Sequence, residues 1–138
     1  SIYLSTGMGD FPMMDALIPA YIESDKRIKL IHTQLSNNID DVNMMALESM
    51  RSRYKVPVAY GHHCDEVNVI YASLGFVPES IFFYVKGSED GEYPDNLHAI
   101  ELPDVKKLVD GIKKIKRSIG SGEKVTMKNW RLSLKDLK

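Results

Sequence analysis

Residues 2–22 read IYLSTGMGDFPMMDALIPAYI. Ile2 to Ser5 is a short apolar run that predicts a strand, and Thr6-Gly7-Met8-Gly9-Asp10 predicts a turn. Phe11, Met14, Leu17, Ile18, Tyr21 and Ile22 then recur at spacings of three and four, the period of a helix with one apolar face. Asp10 suits the N-cap of that helix and Pro12 its first turn. The stretch is therefore one strand-turn-helix unit.

The same unit recurs three times. Ile28 to Leu35 predicts a second strand, with a helix starting near Asp40-Asp41 and presenting Val42, Met45, Ala46 and Met50 on one face. Val56 to Tyr60 predicts a third strand; its helix carries Val67, Ile70, Tyr71 and Leu74, with Gly75 as the stop. Ile81 to Val85 predicts a fourth strand. After it comes a polar loop, Lys86 to Glu101, whose length is typical of functional loops. A last helix begins around Leu102-Pro103-Asp104, is striped by Val105, Leu108, Val109, Ile112, Ile115 and Ile119, and stops at Gly120 and Gly122. Four successive β-α units imply an α/β fold with parallel strands joined by right-handed crossovers. They make either a small open sheet or half of an eight-unit barrel. A complete barrel needs about 250 residues, and this chain has 138.

Composition narrows the classes. The formal net charge is −1, which argues against a nucleic-acid partner. No run of 18 apolar residues is present, so no membrane-spanning helix is expected. The single cysteine, Cys64, has no partner for an internal disulfide, and the expected location is cytoplasmic. Residues 104–138 hold eleven Lys/Arg and four Asp/Glu, against seven and fifteen in residues 1–103. Lys106, Lys107, Lys113, Lys114 and Lys116 alternate with the apolar stripe, which reads as the solvated face of a surface helix. We divide the chain into an α/β domain, residues 1–122, and a basic tail or linker, residues 123–138.

Chemistry in such folds gathers at the C-terminal ends of the strands. Those ends here read Ser5-Thr6-Gly7-Met8, Thr33-Gln34, Gly61-His62-His63-Cys64 and Tyr84-Val85-Lys86. Ser5-Thr6-Gly7 offers hydroxyls and backbone N–H groups to a phosphate, or serves only as a turn. His62-His63-Cys64-Asp65 is the densest group of metal-ligand residue types. Neighbours on a strand face opposite ways, so His62 and His63 are not expected to share an ion. Cys64, near a helix start, is a candidate for a lowered thiol pKa, although no base and orienting acid accompany it. Asp95, in Tyr93-Pro94-Asp95-Asn96, either accepts a ligand hydroxyl or simply forms the turn. Met14, Met45 and Met50 read as core filling.

The order Leu4-Ser5-Thr6-Gly7-Met8, Leu30-Ile31-His32, Val56-Pro57-Val58-Ala59-Tyr60-Gly61-His62-His63 and Leu74-Gly75 resembles the N-acetylneuraminate (sialic acid) synthase family. The run from Leu108-Val109-Asp110-Gly111-Ile112 through Ile119-Gly120-Ser121-Gly122-Glu123-Lys124 is similar to the same family. That family includes pseudaminic, legionaminic and spore-coat polysaccharide synthases. The resemblance implies strands five to eight of a (β/α)8 barrel. Trp130-Arg131-Leu132-Ser133-Leu134 would then begin a linker toward a small second domain. It implies condensation of phosphoenolpyruvate with an N-acetylhexosamine aldehyde, assisted by Mn²⁺ or Mg²⁺. By resemblance, Ser5, with Thr6 beside it, contacts phosphoenolpyruvate, Asp95 contacts the amino sugar, and His63 is a metal ligand.

The departures from the family are specific. Tyr84 stands where a second metal histidine is expected, and a phenol with a pKa of about 10 is a poor ligand at pH 7. Gly61-His62 replaces a Ser-Asp pair. Leu35 and Asn37 stand where Asn and Tyr are expected, and the lysines that hold phosphate lie in the first half-barrel. No residue is assigned as catalytic. Three readings follow: a synthase component; a degenerate, non-catalytic binding or assembly module; or an unrelated α/β domain that binds in the strand-end crevice. A half-barrel exposes two strand edges, so a homo-oligomer or a complementary half-barrel is expected. The absence of Met before Ser1 fits a chain cut from something longer.

Overall fold

A computed structural model describes residues 1–87, 91–93, 95–124 and 126. β1 (Ile2–Ser5) leads through the Thr6–Asp10 turn into α1 (Phe11–Ser24). The Asp10 carboxylate accepts from the Met13 N–H at 2.9 Å, so it caps the helix as its position predicts. β2 covers Ile28–His32 and α2 covers Ala46–Tyr54. β3 is Val58–Gly61 and α3 is Asn68–Ser73. β4 (Ile81–Phe82) and β5 (Val85–Lys86) follow, then β6 (Ile100–Glu101) and α4 (Leu102–Ile119). β1 to β4 form one parallel sheet in chain order, with Ser5 opposite Ile31, Ile31 opposite Ala59, and Gly61 opposite Phe82. This is the α/β half-barrel order expected from the repeated units.

Alternation along the strands sorts the two faces. Ile28, Leu30, Val58 and Tyr60 pack against the helices with Met14, Ile18, Leu47, Met50 and Val69. His32 and His62 fall on this covered side and are 3% and 1% exposed. The opposite, concave face carries Tyr3, Lys29, Ile31, Gly61 and Phe82. Strands lie about 4.8 Å apart, so in a flat sheet β1 and β4 would be too distant to touch. Yet the Tyr3 and Phe82 rings meet edge to face at 5.0 Å. The Tyr3 hydroxyl donates to Glu79 Oε2 at 2.8 Å, and the Lys29 ammonium pairs with Glu79 Oε1. The sheet is therefore curled, and the curl is tied across its hollow side.

Several boundaries differ from the sequence reading. β2 ends at His32 rather than Leu35, beyond which the chain turns toward a short 3₁₀ turn at Ile39–Asp41. The second helix starts at Ala46, not near Asp40, because Asn43 takes a left-handed φ of 48° that interrupts helical winding. That delay rotates the buried face to Leu47, Met50 and Tyr54, and Met45 is left 62% exposed. β3 starts after Pro57, which has no N–H for the ladder but gives its carbonyl to Leu30 N at 3.1 Å. Gly75 does not stop its helix. It sits inside a 3₁₀ turn, and Val77 takes the left-handed position, φ 50°, while Arg51 donates to the Phe76 and Val77 carbonyls.

The fourth predicted strand is split. Ile81–Phe82 stays with β3, but the Tyr84 carbonyl accepts from Ile100 N at 2.8 Å, and β5 pairs with β6 instead. The returning loop thus captures the strand's second half. On α1, only Met14 and Ile18 of the predicted face are buried, while Leu17 and Tyr21 are about half exposed. They stand beside β1, whose outer edge has no partner strand among the described residues. On α4 the stripe holds with Leu108 buried, Ile119 lies at its exposed end, and the interleaved lysines face solvent. Most of the expected tail at 123–138, including the expected linker at Trp130–Leu134, lies outside the described residues. Among the described residues no helix is long and apolar enough to cross a membrane.

Two acid responses follow. The Lys29 ammonium, with Ser80 and Tyr3, holds the Glu79 carboxyl down at about 2. A carboxyl depressed in the folded state stabilises it above the unfolded value, near 4.5, and that gain disappears as pH falls toward 2. Glu79→Gln should cost about 1 kcal/mol at pH 7, the upper end for exposed pairs. Urea melts should show this difference vanishing between about pH 4.5 and 2. Burial, with His98 and His63 adding like charge, lowers His62 to about 4. The unfolded chain therefore binds this proton first, and stability falls as pH drops from 6.5 to 4. Imidazole NMR should show His62 neutral at pH 5.5.

Candidate functional site

The C-terminal ends of β1, β2 and β3 open into a cavity of about 350 Å³ lined by Ser5, Ile31, Thr33, Gly61, His63 and Tyr84. Its floor depends on Gly61. A Cβ there would lie 2.9 Å from Ile31 Cγ2 and 3.0 Å from Thr33 Cβ, closer than side chains tolerate. Glycine lets β2 and β3 approach at the cavity wall, where the resemblance expects a serine. Thr33, one of the expected strand-end positions, lines the cavity, and its buried hydroxyl oxygen has no hydrogen-bond partner among the described residues.

The two predicted hydroxyls differ in what they can offer. Ser5 is exposed and lines the cavity. The Thr6 hydroxyl donates to the Ile31 carbonyl at 2.9 Å, and the Thr6 N–H donates to the same oxygen at 3.1 Å. Thr6 therefore ties the turn to β2.

The histidine pair separates as alternation requires. His62 turns into the core, where its Nδ1 hydrogen-bonds the Tyr60 hydroxyl at 3.1 Å. His63 turns to the cavity side and meets a residue that the sequence did not bring forward, His98. Their rings stack at 3.9 Å and 33°. Tyr84 packs edge-on against both, at 5.7 Å from His63 and 5.1 Å from His98. A turn places Asp95 beside them: Asp95 takes φ 61°, and its carbonyl accepts from the His98 and Ala99 N–H groups. His63, Asp95 and His98 each offer a ligand atom, and these lie within 4.8 Å of one another. Two imidazoles and a carboxylate suit a borderline or hard divalent cation. Only the spacing Asp-x-x-His in the long loop could have marked His98 in advance.

His98 is 4% exposed and its Nδ1 lies 3.0 Å from Asn37 Oδ1. Its Nε2 is buried and has no hydrogen-bond partner among the described residues. Burial and the neighbouring His63 both lower the His98 pKa, which favours the neutral imidazole that a metal requires. Cys64 behaves differently from expectation. Burial raises its thiol pKa, the Sγ accepts from Glu66 N at 3.3 Å, and α3 begins four residues later at Asn68. It is a core thiol, not an activated nucleophile.

The NeuB family matches residues 1–124. The chain is 26% identical over 133 residues to an uncharacterized protein of Methanocaldococcus jannaschii, covering 94% of this chain and 40% of that protein. It is 23% identical over 133 residues to an N,N'-diacetyllegionaminic acid synthase of Campylobacter jejuni, covering 93% of this chain and 40% of the synthase. Among solved structures, an N-acetylneuraminic acid (sialic acid) synthetase of Leptospira borgpetersenii superposes with a TM-score of 0.81 at 19% identity, covering 97% of this chain and 48% of that one. The chain thus spans less than half the length of these proteins, and its four β-α units have the fold of about half of their barrel. On this match, which runs from β1 past the end of α4, the chain belongs to the NeuB family.

Proposed function

We propose that this chain forms the C-terminal half of a barrel that joins phosphoenolpyruvate to an N-acetylhexosamine aldehyde, forming the carbon–carbon bond with consumption of water and release of inorganic phosphate to give a nonulosonic acid. The observation that carries the reading is the gathering of Ser5, His63 and Asp95 at one end of the sheet. A divalent cation at His63 would supply Lewis acidity to the sugar aldehyde. The Ser5 hydroxyl, exposed at the cavity, can donate to the carboxylate or phosphate of phosphoenolpyruvate. Asp95 is exposed above the strand ends and can accept from a sugar hydroxyl. Their shared contribution is orientation of two reactants at close range, which is worth several kcal/mol of barrier. The family membership and the similarity to a legionaminic acid synthase support this substrate class. The unpaired Cys64 supports a reducing, cytoplasmic setting.

The phosphate-holding lysines of the family belong to its first half-barrel, so they would come from a segment outside residues 1–138 or from a second polypeptide. One observation favours a non-catalytic alternative. Tyr84 occupies the position where the resemblance expects the second metal histidine, and a binding or assembly role would tolerate that exchange.

The test is phosphoenolpyruvate consumption with N-acetylmannosamine and Mn²⁺, using this chain alone and this chain combined with the first four β-α units of a NeuB-family barrel. Turnover should require the combination. His63→Ala should reduce it by at least the ~10–100-fold seen when metal sites lose supporting groups. No turnover in any combination would favour the binding module.

A further inference from the structure

We propose that the second imidazole of the metal site is His98, with Asp95 as a carboxylate ligand and Asn37 as the residue that orients His98. Tyr84 is then aromatic packing and not a ligand. This deepens the reading above, because it assigns the ligand set of the same site.

The case rests on one side chain. His98 is almost wholly buried, yet among the described residues its Nε2 has no hydrogen-bond partner. Leaving a buried polar nitrogen unmatched is costly, so its persistence calls for a ligand. Its other nitrogen defines what that ligand is. Asn37 Oδ1 is an acceptor, so Nδ1 carries the proton and Nε2 keeps its lone pair. A hydrogen-bond acceptor behind Nδ1 is the usual support for a histidine that binds metal through Nε2. Asn37 is itself held, since its carbonyl accepts from Asp65 N at 3.2 Å, next to the His63 loop.

The backbone explains why the ligand moved. Pairing of β5 with β6 brings the 95–101 segment back over the strand ends. The 95–98 turn then sets Asp95 and His98 against His63. Tyr84 lies edge-on to both imidazoles, and its ring fixes their mutual placement. One Asp95 oxygen can take the cation while the other remains for a sugar hydroxyl.

The test uses Mn²⁺ and Co²⁺ alone as probes of the 138-residue chain. Titration calorimetry should give one ion per chain. Pulsed EPR of the Mn²⁺ form should show two imidazole nitrogen couplings. His98→Gln should leave one coupling and weaken binding at least tenfold. Asn37→Ala should keep both couplings and weaken binding ~10-fold. Tyr84→Phe removes only the hydroxyl, and should leave the couplings and affinity unchanged. Circular dichroism checks that each variant folds. Loss of binding in Tyr84→Phe, two couplings in His98→Gln, or no bound ion would each overturn the assignment. A two-imidazole ion without any turnover would sink the synthase reading and leave this one standing. Turnover with full metal affinity in His98→Gln would do the reverse.

Discussion

The curl of the four-stranded sheet is the constraint on which the other features depend. Tyr3 on β1 reaches Phe82 on β4 and Glu79 just before it, with Lys29 of β2 joining from between. Side chains from the first and fourth strands meet only if the sheet bends into a trough. The trough points the strand ends at a common space, and Ser5, Thr33, Gly61 and His63 share a cavity for that reason. The convex side carries the helices and most of the apolar core, while the concave side carries Tyr3, Lys29, Ile31, Gly61 and Phe82. A flat sheet of the same sequence would have no site.

Much of this was legible in the residues. The period-three-and-four stripes on α1 and α4 and the short apolar strands give the order of the units. The Asp10 cap is legible as well. What was not legible depended on contacts distant in the chain or on single dihedral angles. Asn43 delays α2 by adopting a left-handed φ, and nothing in Asp40-Asp41 announces it. Leu17 and Tyr21 have the spacing of a buried face, but burial needs a neighbour, and beside β1 none is present among the described residues. Ile81 to Val85 reads as one strand because local pattern cannot reveal that Ile100 will take the Tyr84 carbonyl.

The site divides in the same way. Strand alternation separated His62 from His63 correctly. The resemblance pointed to Ser5, His63 and Asp95, which the structure places at one end of the sheet. His98 escaped because its partners, Asn37 and His63, are 61 and 35 residues away in the chain. Thr6 and Cys64 look reactive by type and position, yet both are occupied. Thr6 spends its hydroxyl on Ile31, and Cys64 is buried with a raised thiol pKa. Residue type nominates a group for chemistry; hydrogen-bond partners and burial decide whether it is available.

The central claim is that this fold is half of a closed barrel, open along β1. Ile2 N–H and Thr6 N–H both point to β2, donating to Arg27 and Ile31 carbonyls at 3.1 Å. By alternation, the amides of Tyr3 and Ser5 face the open edge. Residue-resolved hydrogen exchange tests this directly, on the chain at a concentration where light scattering shows a monomer. Tyr3 and Ser5 should exchange fast while Ile2 and Leu4 are protected, and both should become protected when the first four β-α units of a NeuB-family barrel are added. Slow exchange at Tyr3 and Ser5 in the monomer, or no change on adding the complementary half, would contradict the account.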